Sequence, residues 1–285
     1  MVKEVTLKDT SKKHYRTLNT NIVKRKQMDQ MEPLFSTEEI AAKNTVMEDK
    51  SPEELLEWAM DKMHPRLALS SSFGAEDVVL IDMMWRINRS VRVFTLDTLR
   101  LPTETYTVMD QIRARYGIDL ETYYPDMDQV AGMVREHGFN LFYKSEEFRK
   151  LCCGIRKMEP LDRALGGLDG WVSGLRRDQA VTRVDIAKIE LDVAHGNRIK
   201  VNPLATWTSD MVWDYIKKNN VPYNELHDNN YPSIGCDPCT RAVTPEEDLR
   251  AGRWWWELDP NAKECGLHVI ESLDSIIAAA EAGKL

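Results

Sequence analysis

Cysteine placement is the clearest chemical signal in this 285-residue chain. Cys152 and Cys153 are adjacent, Cys236 and Cys239 form a C-x-x-C within Gly-Cys-Asp-Pro-Cys-Thr, and Cys265 stands alone in Lys-Glu-Cys-Gly-Leu-His. The split suggests four thiolates for a metal centre and a fifth left free to react. Sets of four thiolates hold zinc or iron–sulfur clusters. Successive helical residues point about 100° apart, so an adjacent pair suits the spread ligand positions of a multi-iron cluster better than one tetrahedral ion. Cys265 has Lys263 and His268 close in sequence, and a nearby cation raises the thiolate fraction. A free cysteine is ordinarily a small buried hydrophobe; the polar flanks of Cys265 argue for the reactive role.

Other polar residues fall where an α/β sheet would place a ligand. Ser70-Ser71-Ser72-Phe73-Gly74-Ala75-Glu76-Asp77 follows an apolar strand and opens a helix. Small residues and a helix N-terminus make a phosphate cradle, although the segment lacks the Gly-Lys-Ser/Thr ending of a Walker loop; an unliganded N-cap turn is the plain alternative. A second strand ends in Leu96-Asp97-Thr98, where Asp97 either binds a nucleoside or caps the next turn. Lys157, Arg176, Arg177, Arg183, Arg250 and Arg253 concentrate positive charge, and arginine clusters hold phosphate and sulfate through charge-assisted bonds. Trp254-Trp255-Trp256 reads as core or lid packing.

The elements that must position these residues alternate. Strands are predicted at 66–70, 91–96, 119–124 and 171–175. Helices are predicted at 51–63, 75–87, 103–116, 126–137 and 209–219, with a short amphipathic helix at 272–282. Such alternation means a doubly wound, mostly parallel α/β sheet. Three regions are expected: a basic arm at 1–45, an α/β domain at 46–256, and a mobile tail at 257–285 carrying Cys265.

Net charge is −8. The first thirty residues hold eight Lys/Arg against three Asp/Glu, so the remainder is strongly acidic and lacks the footprint that nucleic-acid binding needs. No apolar stretch approaches the ~20 residues of a membrane span, and no secretory signal is apparent. A cytoplasmic protein, or a stromal one after loss of a transit peptide, is expected. In a reducing compartment the thiols are ligands or catalysts before they are disulfides.

Together these motifs resemble the assimilatory adenylylsulfate reductases, the iron–sulfur branch of the phosphoadenylylsulfate/adenylylsulfate reductase family. The resemblance runs from about Leu67 to His268. It rests on Ser70–Asp77, Leu96-Asp97-Thr98, Cys152-Cys153 with Arg156-Lys157, Ser173-Gly174 with Arg176-Arg177-Asp178-Gln179, Asn202-Pro203-Leu204, Tyr231–Cys236 with Pro238-Cys239-Thr240-Arg241, Arg250–Trp254 and Glu264–His268.

It implies an adenine nucleotide α-hydrolase-like (ATP pyrophosphatase) fold. It implies one four-iron, four-sulfur cluster on Cys152, Cys153, Cys236 and Cys239, and a nucleophilic Cys265 that becomes an S-sulfonate resolved by thioredoxin or glutaredoxin. Lys157, Arg250, Arg253 and His268 would surround the sulfate. Ser70, Ser71, Ser72, Phe73, Gly74, Asp77, Leu96, Asp97, Thr98, Arg176 and Arg183 would bind the rest of the substrate. A homo-oligomer is expected. Plant-type relatives carry a fused thioredoxin-like domain, so here the reductant is expected to be another protein. Leu99 stands where the family usually has glycine. The alternatives are a phosphoadenylylsulfate or dual-specificity reductase, a tRNA-thiolating enzyme, and a zinc-stabilised nucleotide-binding module.

Overall fold

The computed structural model describes residues 31–180 and 183–257. From Pro33 onward the described residues belong to one compact unit. Its centre is a six-stranded sheet in the order β3-β2-β1-β4-β6-β5. The strands are β1 (Leu67–Ser70), β2 (Arg92–Leu96), β3 (Leu120–Tyr123), β4 (Gly170–Val172), β5 (Ile189–Asp192) and β6 (Arg198–Val201). All neighbours pair in parallel except β5, which runs antiparallel to β6. Strand order reverses between β1 and β4. That switch point opens a crevice at the carboxyl ends of the strands, where such sheets bind ligands.

Residue alternation along the strands sends side chains to two different cores. Leu67, Leu69, Val93 and Val172 face the helices α2 (Pro52–Met63), α3 (Ala75–Ile87), α4 (Thr103–Tyr116) and α8 (Ser209–Asn219). Ala68, Phe94 and Trp171 face the other side, under α7 (Glu159–Leu165). Full burial of each Val, Leu, Ile or Met contributes roughly 1.5–3 kcal/mol, and α3 alone buries Val78, Val79, Leu80, Ile81, Met83 and Met84. Helices α3, α4 and α8 span the predicted residues. The capping box of Ser51 with Glu54 starts α2, and Asp126 caps α5 (Met127–His137).

Three features depart from the sequence reading. Helix α1 (Thr37–Met47) lies inside the expected arm, yet Ile40 and Met47 enter the main core. Asn44 exchanges bonds of 2.7 and 2.9 Å with the backbone of Ile189 on β5. The buried Lys188 ammonium closes the end of α1 by donating to the carbonyls of Met47, Glu48 and Lys50. Packed structure therefore begins upstream of residue 46. The β5–β6 hairpin was not anticipated, because its charges are paired across the strands, as in Lys200 with Glu190 at 3.1 Å. The predicted strand at 171–175 stops at Val172. Most of the expected arm and the 272–282 helix lie outside the described residues. Among the described residues, no helix is long and apolar enough to cross a membrane.

Candidate active site

The cradle forms where β1 meets α3. Ser72 donates to the Asp77 carboxylate from its backbone N–H at 2.6 Å and from its hydroxyl at 2.8 Å. Phe73 adopts φ +60°, a conformation that costs ~1–2 kcal/mol for a residue with a Cβ. Its ring is fully buried in the main core, so it anchors the loop and does not line the cavity. Burial pushes the Asp77 carboxyl up to about 6, against the opposing Ser72 bonds; Glu76 adds to the rise and Lys157 opposes it. A side chain at Gly174, just past β4, would collide with the Asp77 carboxylate. Glycine is what lets the cradle press against the end of β4.

Beside the cradle, Arg176 is committed to protein partners. It donates to Glu76 at 2.9 Å and to Trp207 O at 3.2 Å, and it is paired with Asp178. Gln179 also donates to Glu76, at 3.0 Å, and accepts from Arg183 at 2.5 Å. Asp97 takes the turn-capping role: one carboxylate oxygen accepts from Leu99 N at 2.8 Å and from Tyr106 Oη at 2.9 Å. Leu99 has φ +59°. The turn that the family builds with glycine survives here, held by Asp97 against the strain.

The two cysteine segments meet at this same loop. Cys152 and Cys153 end α6 (Glu146–Cys153), which passes into one π-helical turn, Gly154–Met158. Such turns recur at functional sites. The π turn separates Cys153 from Lys157, and both residues reach the cavity. Arg156 donates to Thr98 O at 2.8 Å, the Thr98 hydroxyl lies 3.2 Å from Cys236 Sγ, and Asp237 N donates to Arg100 O at 2.8 Å. The strand-end loop is thus clamped to both segments. Cys152, Cys236 and Cys239 share one apolar cluster with Trp254, and all four thiols are free of disulfides. Burial pushes Cys152 up to about 11 and Cys239 up to about 12.

The surrounding charge is lopsided. Arg100 and Arg156 act on Cys152, and Arg149 and Arg253 act on Cys239. Arg149, Arg156 and Arg253 are buried. The Nε atoms of Arg156 and Arg253 are buried with no hydrogen-bond partner among the described residues. Trp254 lies beneath two guanidinium groups, at 4.4 Å for Arg149 and 4.8 Å for Arg253, and Arg149 also holds Glu257 at 2.5 Å. A side chain on Gly235 would collide with the Arg253 guanidinium. Among the described residues no three His, Cys, Asp or Glu side chains are gathered as a single ion requires. A thiolate-bound cluster spreads its ligands over several irons and carries net negative charge. That suits both the dispersed sulfurs and the buried arginines whose Nε atoms are unmet, so the residues present fit the group.

One cavity of about 230 Å³ joins these parts. Of the residues expected from sequence, it brings together Ser70, Ser71, Ser72, Gly74, Asp77, Leu96, Thr98, Lys157, Arg176, Arg183, Arg250, Arg253, Cys153, Cys236 and Cys239. Phe73, Asp97 and Cys152 stand behind the wall; Cys265 and His268 lie outside the described residues. Sequence reasoning passed over Glu76, Ser173, Gln179 and His227 as site residues, although all four line the cavity. Ser173 and Gln179 were legible as followers of a strand at the switch point. His227, on a short turn after α8, left no sequence signal.

Residues 66–242 match the model of the phosphoadenosine phosphosulfate reductase domain. The chain belongs to this family, in its adenylylsulfate reductase branch. It is 50% identical over 202 residues to the adenosine 5'-phosphosulfate reductase of Allochromatium vinosum, covering 71% of this chain and 78% of that one. It is likewise 50% identical over 220 residues to the Burkholderia cepacia enzyme of that name, covering 77% and 87%. Its fold matches the crystal structure of phosphoadenylyl-sulfate reductase from Candida auris in its phosphate complex, with TM-score 0.63 and 31% identity over 73% of this chain and 98% of that one. The family's α/β architecture is therefore the one built here around the switch-point cavity.

Proposed function

We propose that the protein reduces adenylylsulfate to sulfite and AMP in sulfate assimilation, through an S-sulfonate on Cys265. The Cys265 thiolate attacks the sulfate sulfur. A sulfur–sulfur bond forms, the sulfur–oxygen bond to phosphorus breaks, and AMP leaves with that electron pair. A dithiol of the thioredoxin or glutaredoxin class then attacks Cys265 Sγ and expels sulfite. Its second thiol closes a disulfide and restores Cys265, so the dithiol supplies both electrons. The reaction runs in a reducing, cytoplasmic compartment, and the enzyme acts as a homo-oligomer.

Nucleophile and sulfate are both anionic, so cations must offset them, and stabilising developing charge is often worth ~3–4 kcal/mol per donor. Lys157, Arg250 and Arg253 line the cavity and would take that task, which the family resemblance also gives to His268. Cys152, Cys153, Cys236 and Cys239 would hold the four-iron, four-sulfur cluster, which would supply fixed negative charge beside these cations. The amides of Ser71, Ser72 and Phe73 are taken by Phe94 O, Asp77 and Ser71 Oγ, so the phosphate falls to the start of α3 beyond them.

The observation that carries this reading is the convergence of both cysteine segments, the cradle and three cationic side chains on one cavity. The test is sulfite release from adenylylsulfate and from phosphoadenylylsulfate with thioredoxin as donor. Rapid release from adenylylsulfate is expected. Release from phosphoadenylylsulfate alone would transfer the assignment to that substrate, and release from neither would refute the reading.

A further inference from the structure

His227 lines the cavity but has no part in the chemistry above. Its Nδ1 lies 2.8 Å from the carbonyl oxygen of Tyr231. A carbonyl only accepts, so Nδ1 carries the proton and Nε2 presents a lone pair. Trp213 packs edge-on against the ring at 5.2 Å, which fixes the ring plane. Burial holds the imidazole below its usual value, against the opposing pull of Glu76 and Asp228, so the ring is neutral and Nε2 remains an acceptor. That atom is shielded from solvent and has no partner among the described residues. A buried acceptor left unmet costs ~1–3 kcal/mol. A donor from a bound ligand would meet that acceptor.

The substrate narrows the choice. At neutral pH the phosphate and sulfate of adenylylsulfate are ionised and carry only acceptors. Its donors are the adenine amino group and the ribose hydroxyls, all on the nucleoside half. We propose that His227 Nε2 accepts a hydrogen bond from the nucleoside half of the substrate and is a specificity-determining residue for it. This inference rests on reading the cavity as a sulfonucleotide site. A site built around such a bond rejects analogues that lack the donor, because its own polar atom is then stranded.

The experiment is calorimetric binding of AMP, IMP, 2'-deoxy-AMP and 3'-deoxy-AMP to the full-length protein as isolated. Wild-type protein is expected to bind at least one analogue about tenfold more weakly than AMP. His227→Phe should erase that difference while melting at the wild-type temperature. His227→Gln, whose side-chain oxygen reaches the region of Nε2, should restore part of it. Equal binding of all four nucleotides by wild type would overturn the proposal. So would a His227→Phe loss that is the same for every nucleotide, since the ring would then serve packing alone. Failure of wild type to bind AMP would overturn the nucleotide reading itself, an outcome distinct from the other two.

Discussion

The two ends of the cavity satisfy their polar groups in different ways. At the cradle end the network is closed by protein partners: Asp77 with Ser72, Arg176 with Glu76 and Asp178, Gln179 with Glu76 and Arg183. Around the cysteines it is open. Buried guanidinium groups surround thiols that form no disulfide, and two guanidinium nitrogens lack partners among the described residues. The cradle is therefore preorganised by the chain itself, whereas the cysteine end, where Glu257 pairs with Arg149 alone, keeps hydrogen-bonding capacity for a further anion.

That contrast can be broken in order of expected effect. Cys265→Ser removes the proposed nucleophile and should abolish sulfite production while AMP affinity stays within about twofold. Normal turnover by that variant would refute the mechanism. Lys157→Ala should lower kcat/KM by about 10²–10³ with iron content unchanged; loss of iron before loss of activity would make Lys157 structural. Arg176→Met breaks a buried pair that belongs to the closed network. It should cost ~3–5 kcal/mol of stability, seen as a fall in denaturant midpoint, with AMP affinity in the surviving folded protein little changed.

Asp77 gives the cradle a pH dependence. Its carboxyl is raised to about 6 in the fold from an ordinary 3.8, so the folded state holds the extra proton between those values. Its contribution to stability is fully present below the unfolded value and is lost as pH rises through about 6. Protonation also removes a negative charge from the phosphate site, so AMP affinity should rise as pH falls through about 6. Asp77→Asn should flatten that profile; an unchanged inflection would assign it to another group. Leu99→Gly relieves left-handed strain at a site set back from the chemistry. It should raise Tm by about 2–4 °C per kcal/mol recovered, with activity unchanged.

The parallel sheet was legible because its strands are short apolar runs between helices of 11 to 14 residues. Ala75–Ile87, Thr103–Tyr116 and Ser209–Asn219 each announce themselves by apolar spacing and a clear start. Helix α1 showed in the sequence only as a short helical hint near 37–43, because it offers only two buried residues, Ile40 and Met47; its stronger sign was the Ser36–Glu39 capping box. The β5–β6 hairpin was hidden because pairing, not apolar content, stabilises its charged residues.

Within the site, residue types predicted the cavity well, but not which side chains would be spent on one another. Arg176 reads in sequence as an anion ligand; in the fold it lines the cavity and is bonded to Glu76 and Asp178 as well. Asp97 could equally have faced a nucleoside; the positive φ of Leu99 required a cap, and Asp97 supplies it. His227 was invisible because its role depends on a backbone carbonyl four residues away and on a tryptophan from α8.

Iron and acid-labile sulfide analysis of the purified protein, read with its absorbance near ~400 nm, tests the open cysteine end most directly. Four irons and four sulfides per chain, roughly in step with the absorbance, are the result this account predicts. A colourless protein with stoichiometric zinc would contradict it.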